Sequence, residues 1–140
     1  MFFIKRFLLS RAIWLKKNIQ KVIDNPTILG IKHSEADIKK YKQQARALVE
    51  ERLNYFNQFY NLEVKRISIR NQKSRWGSCS SKKNLNFNYR LALLPAEIAD
   101  YIIVHELCHL AEMNHSKAFW ALVARTIPDY KNRQKLLKKI

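Results

Sequence analysis

The chain has 140 residues, 47% of them hydrophobic, which allows one domain with a buried core and excludes an intrinsically disordered segment. Its two cysteines, Cys79 and Cys108, are too few for a disulfide scaffold, and a reducing cytoplasm is the expected setting. The formal net charge of +16 is high for this length and favours nucleic acid, anionic membranes, nucleotides or acidic proteins as partners.

The N-terminal stretch is apolar and basic. Lys5, Arg6 and Arg11 interrupt its apolar run and no small-residue cleavage site follows, so it does not read as a signal peptide. No run reaches the length of a transmembrane helix. The spacing predicts a helix over about Phe3 to Val22 that ends before Pro26 and packs on the core. An amphipathic membrane-surface helix is the competing reading. Residues 1–33 read as an N-terminal helical segment and residues 34–140 as the main domain, together one compact unit.

Ser34 starts a second helix, with Asp37 in its first turn and apolar positions at Ile38, Tyr41, Ala45, Leu48, Leu53 and Phe56. Val64 to Arg70 alternates through Ile67 and Ile69, the pattern of a strand. Arg75–Cys79 and Leu85–Tyr89 read as a hairpin joined through Ser80-Ser81-Lys82-Lys83-Asn84. No acid occurs from Val64 to Ala96, while Lys65, Arg66, Arg70, Lys73, Arg75, Lys82, Lys83 and Arg90 do. Arg75, Trp76 and Arg90 are candidate contacts for a substrate or an anion. A solvated basic surface and ordinary strand core are the bland readings of these residues. Pro95 suits the first turn of the next helix. That helix carries Ile98, Ile102, Ile103, Val104, Leu107 and Leu110, apolar on most sides and hence central. A helix over Ser116–Thr126 and a basic tail helix from about Asp129 complete the chain.

The central helix bears His105-Glu106-Leu107-Cys108-His109, and His115 follows. Imidazoles four residues apart on a helix lie about 40° apart around its axis and roughly 6 Å along it, within reach of one ion. Catalytic zinc needs three protein ligands and an open position, which His105, His109 and His115 would supply, one ion per chain. Glu106 flanks that face and suits a general base. On a straight helix His115 would lie about 15 Å from His105, so the helix must end between His109 and His115. Asn114, in a left-handed conformation, is the expected stop, and Ser116 the expected cap of the next helix. Cys108 is expected to pack beside the site rather than bind the ion. A structural zinc site would fill all four positions with Cys or His, which this set does not.

The stretch Arg75-Trp76-Gly77-Ser78-Cys79, then Asn88-Tyr89-Arg90-Leu91, the five-residue histidine motif, and Asn114-His115-Ser116 before Phe119-Trp120 resembles the YgjP-like metallopeptidases of the wider SprT/WLM zincin group. Weaker similarity reaches back to Arg11-Ala12-Ile13-Trp14-Leu15. The resemblance implies a zincin-like α+β fold: a small antiparallel sheet on a central active-site helix, with flanking helices. It also implies His105, His109 and His115 as zinc ligands and Glu106 as acid/base. Members of the family carry a β-rich segment before the position of Arg11, where only ten residues stand here, so a shortened sheet is expected. Glu112 stands where metzincins have a turn-making glycine, so the turn is expected later. It would lie near the metal face, or be a solvated helix-end residue.

These residues support a zinc-dependent metallopeptidase acting on protein or peptide. Its oxyanion donor is open among Arg75, Tyr89 and Tyr130. A zinc hydrolase of nucleotide or phosphate substrates would use the same water, but there is no Gly-rich phosphate loop. A protease brought to its targets by nucleic acid, as the SprT resemblance suggests, would use the basic surface.

Overall fold

A computed structural model of the chain describes residues 28–140; the helix expected over Phe3–Val22 lies outside them. Helix α1 spans Glu35–Asn57. Ser34 caps it by accepting a hydrogen bond from the Asp37 amide at 3.2 Å, which satisfies one of the free amides of the first turn. Its buried stripe is Ala45, Val49, Leu53 and Phe56, the three- and four-residue spacing of one helix face. The helix stops where Asn61 turns left-handed (φ 53°). There the Asn57 amide clasps the Leu62 backbone, accepting from its N–H at 2.9 Å and donating to its C=O at 2.8 Å.

Three strands follow: β1 (Arg66–Arg70), β2 (Gly77–Cys79) and β3 (Asn84–Asn88). The expected hairpin is present, since β2 pairs antiparallel with β3 through Gly77↔Phe87 and Cys79↔Leu85. The sheet as a whole is not antiparallel, however. Its order is β1-β3-β2, and β1 runs parallel to β3 with Ile67 opposite Leu85. Two chain reversals separate these strands, one through residues 71–76 and one at Ser80–Lys83, and two reversals restore the original direction. Residues 71–83 supply about the dozen residues that a parallel connection needs. Leu85 and Phe87 on β3 are fully buried, as the alternation of a half-buried strand requires.

A 3₁₀ turn over Tyr89–Leu93 leads to α2 (Ala96–Cys108). Ile98, Ala99, Ile103, Val104 and Leu107 are fully buried in it. The central position expected from its apolar composition is therefore realised. A two-pronged Arg52–Asp100 ion pair at 2.9 and 3.0 Å ties α1 to it. Then come α3 (Lys117–Thr126) and α4 (Tyr130–Lys138). Arg133 of α4 is buried; it donates to the Glu97 carbonyl at 2.9 Å and to Asp129 at 3.2 Å. The result is an α+β fold with one core between α1, the inner face of the sheet, α2 and α3. Among the described residues no helix is long and apolar enough to cross a membrane.

Candidate metal centre

His105 and His109 project from the last turn of α2, one turn apart. The helix ends immediately after them, with His109 as its C-cap. The expected left-handed stop at Asn114 is not what ends it. The non-glycine residues with positive φ among those described are Asn61 and Lys83. Nor does the turn fall after Glu112. The last turn instead tightens into three-residue hydrogen bonds, from the Leu110 amide to Leu107 O and from the Ala111 amide to Cys108 O, both 3.1 Å. Such tightening satisfies terminal carbonyls without a left-handed residue, so neither Gly nor Asn is required. The chain doubles back, and Ser116 caps α3 by accepting from the Phe119 amide at 3.3 Å.

This reversal brings His115 beside the other two. The Nε2 atoms form a triangle with sides of 3.2 Å (His105–His109), 3.1 Å (His109–His115) and 3.2 Å (His115–His105). A tetrahedral zinc with bonds of about 2.0–2.1 Å holds its ligand nitrogens ~3.3–3.4 Å apart, so the triangle fits such an ion within tenths of an ångström. These three are the group of side chains able to hold a metal among the described residues. The tautomers agree with that role. His109 Nδ1 donates to the Glu112 carbonyl at 3.0 Å, which leaves its Nε2 lone pair directed into the triangle. Glu112 thus serves the site through its backbone. Tyr101 Oη lies 3.5 Å from His105 Nδ1. Burial, aided by the neighbouring imidazoles, lowers the His105 pKa to about 3, and burial lowers that of His109. Both are therefore neutral, as a metal ligand must be.

Aromatic rings fix the imidazoles. Phe119 stacks on His109 at 4.3 Å between centroids and meets His105 edge-on at 5.0 Å. Trp120 stacks on His115 at 5.8 Å. Sequence reasoning gave these two rings no role. Their signal was their place on the first turn of the helix that Ser116 starts. Cys108 is buried and is not part of the metal-binding group of side chains.

Glu106 is 7% exposed. Its Oε1 lies 4.0 Å from His105 Nε2, and because His105 is neutral this is adjacency rather than an ion pair. Its Oε2 is buried with no hydrogen-bond partner, which is costly unless function uses it. Burial raises its pKa to about 7, against a smaller opposite pull from Arg75. The carboxylate faces a cleft of about 510 Å³ whose walls include Arg75, Trp76, Tyr101 and Lys138. Among the described residues strand β2 forms an edge of the sheet, and it lines this cleft.

Arg75 and Trp76 thus share the cleft with Glu106, but Arg90 does not. Its buried guanidinium donates to Asn71 Oδ1 and Gln72 O, both at 3.1 Å, and to Ile31 O at 3.0 Å. Asn88 completes this anchor, donating to Gln72 O at 2.7 Å and Arg75 O at 3.0 Å. Together they hold the loop that presents Arg75 and Trp76. Tyr89 is also remote, fully buried with its hydroxyl 2.7 Å from His33 Nδ1. Tyr130 stacks on Trp120 at 4.9 Å.

Comparison with known proteins gives this geometry a context. The model of the YgjP-like family, a metallopeptidase domain, matches residues 31–140. The chain belongs to that family. It is a metallopeptidase on that ground, and the three imidazoles are its metal-binding candidates. Among solved structures, the metallopeptidase zymogen abylysin of Pyrococcus abyssi is similar, at 25% identity and a TM-score of 0.59, over 66% of this chain and 94% of that one. The metallopeptidase zymogen jannalysin of Methanocaldococcus jannaschii shares 25% identity at a TM-score of 0.49, over 69% and 97%. No curated protein matches the sequence. The zincin-like α+β fold expected of the family is thereby found.

Proposed function

We propose that the chain hydrolyses peptide bonds with one zinc ion held by His105, His109 and His115 and with Glu106 as general base. The observation that carries this reading is the Glu106 carboxyl, buried with its Oε2 unpartnered beside the triangle of imidazole nitrogens. Neutral imidazoles suit zinc, whereas magnesium and calcium prefer oxygen ligands. When bound, zinc supplies Lewis acidity, activating water and polarising a carbonyl.

The remaining work falls to the chain. Glu106, with its pKa near neutrality, accepts the proton of the attacking water and delivers it to the leaving amine nitrogen. The edge strand β2 offers backbone N–H and C=O groups to an extended peptide. Arg75 and Trp76 border its path. Tyr101, whose pKa burial raises to about 12, keeps its proton and steadies His105.

The test is casein or peptide hydrolysis by zinc-loaded wild type and Glu106→Gln. Hydrolysis by the wild type, lost in a variant that retains zinc, is the expected result. Equal activity in the variant overturns the assignment of the base. The phosphate-directed alternative loses support from the scarcity of glycine, since Gly30 and Gly77 are the two in the chain.

A further inference from the structure

We propose that the groove between α3 and α4 extends the metal cleft and takes an acidic segment of the peptide substrate. This rests on the peptidase reading above and adds a substrate class to it.

The groove encloses about 600 Å³, with Lys117 and Trp120 on one wall and Tyr130, Lys131 and Gln134 on the other. Gln134 also lines the metal cleft, so the two hollows share a wall. Trp120 links them as well. Its ring stacks on His115, at 5.8 Å and 25°, and on Tyr130, at 4.9 Å and 14°. An aromatic floor therefore runs from the third imidazole into the groove.

Charge decides what fits there. Lys117 and Lys131 are exposed, and no described residue forms an ion pair with either. The same holds for Lys138 in the metal cleft. Among the described residues Glu106 is the one acid lining either hollow, and it is buried. Asp129, close to Lys131 in the chain, is engaged by Arg133. No acid follows Asp129, and α3 contains none. Charges of one sign along a concave surface focus their field. A peptide crossing the groove would set carboxylates against Lys117 and Lys131 and rest its apolar atoms on Trp120 and Tyr130. A nucleic acid fits less well. Trp120 and Tyr130 are already stacked on each other, which closes the gap that a base would enter.

The test uses full-length Glu106→Gln and fluorescence anisotropy. The probes are a labelled glutamate-rich peptide and the same peptide with glutamine at each glutamate. Two double variants are compared in that background: Lys117→Glu with Lys131→Glu, and Lys39→Glu with Lys40→Glu on exposed positions of α1. Both lower the net charge equally. The glutamate peptide should bind about tenfold tighter than its glutamine match. The groove variant should abolish that preference, and the α1 variant should keep it within about twofold. If the groove variant fails to fold by circular dichroism, Lys117→Gln with Lys131→Gln replaces it and is compared with Lys39→Gln with Lys40→Gln, which matches its charge. Equal weakening by the two double variants would trace binding to overall charge and overturn the proposal. So would the lack of any glutamate preference, or tighter groove-dependent binding of a single-stranded oligonucleotide. Failure of the wild type to cleave any peptide would sink the peptidase reading instead, while the anisotropy still decides the groove.

Discussion

Gly77 on the edge strand and Glu106 on the central helix stand so close that a Cβ on Gly77 would lie 3.0 Å from Glu106 Cγ. It would also lie 3.1 Å from the Asn86 carbonyl oxygen. Gly77 has no positive φ, so glycine is required here for space rather than for backbone conformation. The Asn86 carbonyl belongs to the central strand and cannot retreat. The carboxylate side chain is the part that must give.

Gly77→Ala should therefore displace the Glu106 carboxylate while leaving the imidazoles undisturbed. Displacement of a base by a fraction of an ångström to 1 Å costs on the order of 10–100-fold in rate. The expected outcome is wild-type zinc content with kcat lowered by about that factor and KM little changed. Metal analysis and steady-state kinetics on one preparation check it, and unchanged kcat would show that the contact does not set the position of the base.

Burial of Glu106 has a cost that depends on pH. Below its ordinary value of 4.5 the carboxyl is neutral in both folded and unfolded chains. From 4.5 to about 7 the unfolded chain has released its proton while the folded one keeps it. Stability of the chelator-treated protein is thus lost as pH rises through that window, by on the order of 3 kcal/mol. His105, lowered to about 3, acts oppositely, costing stability as pH falls below 6.5. Comparison with Glu106→Gln isolates the first effect. The variant should be the more stable protein at pH 8, and its advantage should shrink towards pH 4.5. Urea unfolding at both pH values measures this, and a constant gap would contradict it.

Zinc should stabilise the folded chain by linkage, by about 2.7 kcal/mol when free metal is a hundredfold above Kd. His115 is exposed, so His115→Ala should alter the chelator-treated protein by roughly 0.5 kcal/mol or less. The same variant should lose the zinc-induced rise in Tm. A full zinc-induced rise in His115→Ala, followed by thermal melts with and without chelator, would exclude His115 as a ligand.

Asn88 is fully buried, caps the 3₁₀ turn by accepting from the Arg90 amide at 3.0 Å, and holds Gln72 O and Arg75 O. Asn88→Ala would take this donor from Arg75 O and this acceptor from the Arg90 amide, while Gln72 O keeps Arg90, at a cost of about 2–4 kcal/mol. Because the loop carries Arg75 and Trp76, KM should rise more than kcat falls. Urea midpoints and peptide kinetics check both parts, and an unchanged KM would separate the loop from substrate binding.

Local periodicity was readable without coordinates. His105 and His109 share a face because a helix turns about 100° per residue, and Glu106 flanks it for the same reason. Ser34 and Ser116 act as caps because their hydroxyls reach amides three residues on. Leu85 and Phe87 share the buried face of a strand because its side chains alternate. The need for a chain reversal before His115 followed from length alone.

Other features had no local signal. The reversal is made by a tightened helical turn rather than at Asn114, because hydrogen bonds at a helix end are a choice among near-equal alternatives. Arg90 in the sequence resembles Arg75, yet one is consumed by Ile31 and Gln72 carbonyls and the other borders the cleft. The parallel pairing of β1 with β3, the packing of Phe119 on His109 and the space at Gly77 likewise join residues far apart in the chain. The sequence by itself determined which residues could bind a metal and hold a base, since covalent backbone geometry sets which side chains share a face. Tertiary structure alone decided which charges stay free, which loop presents them and how tightly Glu106 is enclosed. Those properties depend on partners that meet only when the core closes.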